Sequence, residues 1–145
     1  MALGKFEQAI PYLQQYLAHA DAGWSDERMQ VQHKFAICLQ MMGEHLAAYE
    51  VEHQATKERY NWAENYIGLT EVCAALDRWD EVEHWANLAL RYGMPQSMLI
   101  LNPLEFKLIP YARLAEAAAR QGRYDEADGF AAQALEAAQI GRAHV

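Results

Sequence analysis

GEHLAAYEVEHQA, residues 43–55, decides the fold once it is set beside DRWDEVEHWANLAL at 77–90. Both open on a turn residue, and two positions later each carries a ring, His45 or Trp79. A small or branched residue follows three further on, Ala48 or Val82, with later apolar residues at helical spacing. The same pattern stands in GKFEQAIPYLQQYL from Gly4, with Phe6 and Ala9, and in GRYDEADGFAAQAL from Gly122, with Tyr124 and Ala127. One amphipathic helix is written four times.

Gly43 and Asp77 are 34 residues apart, the period of the tetratricopeptide repeat, and the pattern resembles that family. The flanking offsets are 39 and 45 residues, so two connections are lengthened. Ahead of each later copy lies a second helix whose start carries cap chemistry. Ser25 with Asp26 and Glu27 offers a hydroxyl cap and two first-turn carboxylates. Asn61 with Glu64 reads as a capping box, and Asn102, Pro103 and Glu105 supply cap, first-turn proline and carboxylate. Pro110 disfavours helix at Ile109, so a short turn over 103–107 is expected before the main helix begins at Leu108 or Pro110. Pro11 predicts a kink in the first helix.

The predicted fold is all-α: a tetratricopeptide-like α-solenoid of antiparallel hairpins, about three and a half repeats in a right-handed superhelix. Its helices fall at about 5–19, 26–42, 45–57, 61–76, 79–92, 108–121 and 124–138, in a single domain over 1–139. Small residues such as Ala48, Ala86 and Ala131 let axes approach, while Phe6, Trp79 and Tyr124 fill the gaps between hairpins. If Trp79 is fully buried, Trp79→Ala costs about 3–5 kcal/mol. Residues 140–145 resemble the translation of a DNA-sequencing adaptor, so they are expected to be a non-native tail, and no function is read into Arg142 or His144. The alternative is a native end in which Gly141 terminates the helix.

Composition narrows the function classes. The chain of 145 residues is 52% hydrophobic and carries a net charge of −8, so nucleic acid is not an expected partner. Cys38 and Cys73 lie in apolar helical stretches as small buried thiols, which fits a cytoplasmic, reducing location. The longest uncharged apolar run, 94–104, is too short and proline-broken to span a bilayer.

No catalytic, cofactor or metal site is expected. His45 and His53 are eight residues apart and find no third ligand, and His33 and Cys38 diverge on a helix. Glu50 with Glu52, Asp80 with Glu81 and Glu83, and Asp125 with Glu126 read as first-turn or solvated-face carboxylates. The candidate surface is the groove lined by the first helix of each hairpin. That nominates Gln30, His33, Lys34, Ile37 and Gln40, then Glu64, Ile67, Glu71 and Ala74, then Ile109, Arg113, Glu116 and Arg120. This set lacks the Lys and Asn pattern that clamps a peptide carboxylate in chaperone-binding relatives.

The Gly23-Trp24-Ser25 connection, the 34-residue unit and LILNPL at 99–104 resemble, over most of 1–139, the repeat region after the catalytic domain of bacterial family 2 glycosyltransferases. That resemblance implies an upstream nucleotide-sugar-binding domain with an Asp-x-Asp motif; this chain has no Asp-x-Asp, and no catalytic residue is carried over. The expected function is a non-catalytic scaffold for protein–protein or interdomain contact, the partner being a protein, a peptide or an upstream domain. The alternative is a free-standing adaptor that binds a peptide in the groove. Self-association is also expected through the first helix (Phe6, Ala9, Ile10, Leu13, Tyr16, Leu17) and the last (Phe130, Ala134, Leu135), both read as uncovered.

Overall fold

The computed structural model describes residues 2–19 and 24–143; Gly23 of the Gly-Trp-Ser connection, and His144 and Val145 of the tail, lie outside them. The described residues form seven helices: α1 (Ala2–Ala18), α2 (Ser25–Met41), α3 (His45–Glu58), α4 (Ala63–Ala75), α5 (Trp79–Tyr92), α6 (Glu105–Arg120) and α7 (Tyr124–Ala143). Each packs on its sequence neighbour, and α2 also meets α4, as α4 meets α6. This is an all-α helical-repeat solenoid of the tetratricopeptide type.

The hairpin turns repeat one device. Gly43 and Gly122 close α2 and α6 with φ of 82° and 79°, and Asp77 closes α4 with φ of 60°. The following amides reach back to the helix: Glu44 N to Leu39 O at 2.8 Å, Arg78 N to Cys73 O and Arg123 N to Ala118 O, each at 2.9 Å. These are Schellman closures, and they satisfy carbonyls that the helix end leaves open.

Packing follows the predicted small positions. Ala48, Ala86 and Val82 are fully buried, and Ala127 is nearly so. The central core joins Tyr66, Leu69 and Cys73 of α4 to Val82, Trp85 and Ala89 of α5 and to Phe106 and Ala117 of α6. Because α4 has neighbours on every side, Trp62 through Thr70 are all buried.

Several expectations need correction. Trp24, not Ser25, precedes the first turn of α2, and Trp62, not Asn61, precedes that of α4; neither makes a side-chain cap bond. Tertiary contacts win at both sites. Asp26 is drawn to Arg59 and to the Ser97 hydroxyl, and the fully buried Trp62 ring sets where α4 begins. Burial alone would raise the Asp26 carboxyl; Arg59 and Ser97 outweigh it and hold it below its ordinary value.

Helix α6 starts at Glu105, three residues before the expected Leu108, and Pro110 lies inside it. Asn102 Oδ1 accepts from Leu104 N at 3.1 Å, and Phe106 is buried in the core, so the first turn is held despite the missing proline N–H. Helix α1 runs as one element through Pro11, and α7 continues past 138 and through Gly141, which therefore does not terminate it.

The expected gap-fillers divide. Tyr124 is exposed on α7, with no described helix covering it, whereas Phe6 and Trp79 are half-buried; of the small close-approach residues, Ala131 is likewise exposed on α7. Partial burial lowers the expected cost of Trp79→Ala to about 1.5–3 kcal/mol, read in a urea titration. The face of α1 is not free either: Phe6, Ala9, Ile10, Leu13, Tyr16 and Leu17 are half-buried, and α1 lies on α2.

Candidate functional site

The predicted groove divides into a downstream half that gathers and an upstream half that turns inward. Gln40 of α2, Glu71 and Ala74 of α4, and Arg113, Glu116 and Arg120 of α6 line one open cavity of about 460 Å³, with Ala75, Asp77 and Trp79 on its wall. Three successive first helices thus contribute to one surface. Arg113 is its hub: Nε donates to Glu71 Oε1 at 3.1 Å, a second nitrogen reaches Glu71 Oε2, and Nη1 donates to Glu116 Oε2 at 3.1 Å. Arg120 lies 4.9 Å above the Trp79 ring, a cation–π contact. Trp79 Nε1 donates to Asp77 Oδ1 at 2.5 Å, which orients the ring. Arg113 is thus paired with two carboxylates, and the exposed Arg120 lies against the Trp79 ring.

Upstream, Gln30 is half-buried and Lys34 and Ile37 are exposed, but Glu64 and Ile67 are taken into the interior and the half-buried His33 turns towards Glu52. Ile67 belongs to the core. His33 Nδ1 stands 2.9 Å from Glu52 Oε2 and 3.2 Å from Oε1, and Asn65 Nδ2 donates to Glu52 Oε1 at 3.1 Å. Glu52 is 1% exposed, so the reading of Glu50 and Glu52 as a solvated pair fails for Glu52. Its place three residues before Ala55 and four after Ala48 is the sequence signal for this, since both alanines are fully buried on the same face of α3.

Gly68 makes room for the pair. A β-carbon on Gly68 would stand 1.2 Å from Glu52 Oε2 and 2.9 Å from His33 Nδ1, so α4 can carry no side chain there while the pair is in place. Burial alone would lower the His33 pKa, but Glu52, with Glu64 and Glu105 further off, drives it up to about 9. Burial pushes the Glu52 carboxyl up, opposed by His33 and the Asn65 amide.

A pH dependence follows. His33 binds its proton more tightly folded than unfolded, so its contribution is full below about pH 6.5 and is lost as pH rises through about 9. Wild-type stability is expected to fall by about 2–3 kcal/mol across that window. In His33→Gln the slope flattens in urea titrations at stepped pH; an unchanged slope would refute the pairing.

The remaining candidates are structural. His53 sits between Tyr49 and Trp85 with ring centroids at 5.6 and 5.7 Å, so it is a packed residue rather than a surface one. Burial pushes the Cys73 thiol up to about 12, which leaves it a poor nucleophile at neutral pH. Among the described residues no group of three His, Cys, Asp or Glu side chains could hold a metal ion, and no helix is long and apolar enough to cross a membrane.

Neither a protein-family model nor a curated protein matches this sequence. Among solved structures, the crystal structure of MamA superposes with a TM-score of 0.76 at 18% identity, covering 100% of this chain and 75% of that one. At that identity the likeness concerns the fold, a tetratricopeptide-like helical array.

Proposed function

We propose that this chain is a non-catalytic scaffold that mediates protein–protein or interdomain contact, with its ligand-facing surface at Gln40, Glu71, Ala74, Arg113, Glu116 and Arg120. The observation that carries this is the convergence of three first helices on one open cavity of about 460 Å³. Repeat arrays bind through such surfaces because successive hairpins present equivalent positions side by side. Gln30, Lys34 and Ile37 extend the surface upstream; His33, Glu64 and Ile67 contribute structure there rather than contacts.

Binding of a peptide library to the isolated chain tests the groove directly. Glu71→Gln with Arg113→Gln is expected to weaken any selected peptide at least ~10-fold, equivalent to about 1.4 kcal/mol. Equal binding by the double variant would move the ligand elsewhere.

The finer reading is an accessory C-terminal domain of a family 2 glycosyltransferase, in a bacterial cytoplasm, contacting the enzyme's own upstream domain. What supports it is the resemblance of the Gly23-Trp24-Ser25 connection, the 34-residue unit and the 99–104 segment to the repeat region of such enzymes. Reading the gene upstream tests it. A strand-rich domain with Asp-x-Asp is the expected result, and a start codon with no upstream frame would instead leave a free-standing adaptor.

A further inference from the structure

The helices alternate in direction, so the N-termini of α2, α4 and α6 and the C-termini of α3, α5 and α7 share one edge of the solenoid. That edge carries an apolar stripe between the charged ends of α3 and α5. Trp24, Tyr60, Met94, Met98, Ile100 and Ile140 all expose large hydrophobic side chains along it. Its centre is the connection 93–104, which carries no charged residue.

This connection is fixed rather than loose. Ser97 Oγ donates to Asp26 Oδ2 at 2.7 Å, and Leu99 and Leu101 pack on Met29, Ala55 and Trp62. With residues 97, 99 and 101 turned inward, the intervening Met98 and Ile100 stand outward at 91% and 97% exposure. They form a preorganised apolar ridge. Directly after it in the chain, Pro103 and Leu104 face Ala137 and Ile140 across an apolar cavity of about 460 Å³, in which Lys107 is the one charged residue among the described lining residues. Ile140 and Gly141, of the tail set apart above, complete the lining, while Pro103, Leu104, Lys107 and Ala137 come from outside that tail.

We propose that this edge is a two-fold interface between copies of this chain, in which Met98 and Ile100 of one copy enter the cavity between Leu104 and Ala137 of the other. A two-fold contact requires a patch complementary to itself, and a ridge beside a cavity on one surface meets that condition. Charge points to the same occupant. Two molecules of net charge −8 repel overall, yet a neutral ridge meeting a cavity with a single lysine brings no like charges together. Each of the two contacts rests on two ridge side chains and one cavity, so the dimer is expected to be weak, forming near ~0.1 mM.

Sedimentation velocity of the full chain from about 10 µM to about 1 mM reads this, with a mass expected to climb from 16.5 kDa towards twice that value. Met98→Asp with Ile100→Asp alters only outward side chains; it keeps the wild-type melting temperature and weakens association at least ~10-fold. Ala137→Trp fills the cavity and has the same effect. Mixing these two variants gives a heterodimer stronger than either variant's homodimer but weaker than wild type, because one of the two ridge–cavity contacts is intact. A chain that stays at 16.5 kDa up to about 1 mM overturns the proposal, as does unchanged association of the aspartate pair. A monomer that instead needs Met98 and Ile100 to sediment with phosphatidylcholine vesicles also overturns it, assigning the edge to a lipid surface.

Discussion

Gly68→Ala lowers the folding free energy by about 2–4 kcal/mol, even though alanine is the better helix former by about 1 kcal/mol. The added β-carbon falls on Glu52 Oε2, and Glu52 has nowhere to go, being 1% exposed between α3 and α4. Moving it breaks the contact with His33 and the bond from Asn65. Breaking one partner out of a buried pair costs about 3–5 kcal/mol because the other is left charged and uncompensated. Urea titration gives the number. The mechanism is isolated in a Glu52→Ala background, where the same Gly68→Ala change is expected to be neutral or stabilising. Equal penalties in both backgrounds would mean that the clash is with something other than the pair.

Trp62→Ala is expected to cost about 3–5 kcal/mol and also to release the connection 93–104. The Trp62 ring is fully buried, and Met29, Ala55, Leu99 and Leu101 pack with it. Its outer face carries the Arg59 guanidinium, 4.7 Å from the ring centroid, and Arg59 in turn holds Asp26, the acceptor of the Ser97 hydroxyl. One residue therefore ties three helices to a segment that crosses from the next hairpin. Amide hydrogen exchange follows the second effect: protection at Leu99, whose N–H donates to Ser97 Oγ, is expected to fall by more than the loss of global stability explains. A uniform fall across all helices would show that Trp62 stabilises the fold without anchoring the connection.

Both residues show where sequence reasoning reached its limit. Glu52 looked solvated because a carboxylate on a helix is usually so, and only the approach of α2 and a mid-helix glycine on α4 made burial possible. Trp62 lay beside a cap motif, Asn61 with Glu64, that was locally sound; burying an indole outweighs a cap bond of about 1 kcal/mol. Likewise the buried Phe106 overrode the proline signal at Pro110. Of the groove, the downstream residues assemble because Arg113, Glu116 and Arg120 on α6 face Glu71 and Ala74 on α4. His33 and Ile67 had the right helical phase for the groove, but phase places a residue within a range of directions, and contact with a third helix decides whether it faces solvent.

The periodic apolar and small positions by themselves determined the class of fold, the number of helices and the hairpin turns, because a 3.6-residue period and a glycine at a helix end are local properties of the chain. Tertiary structure alone decided which polar side chains are buried and where the 93–104 connection lies. Glu52, His33, Asp26 and Ser97 meet partners from other helices, and the energy of such contacts depends on distances that no local spacing contains.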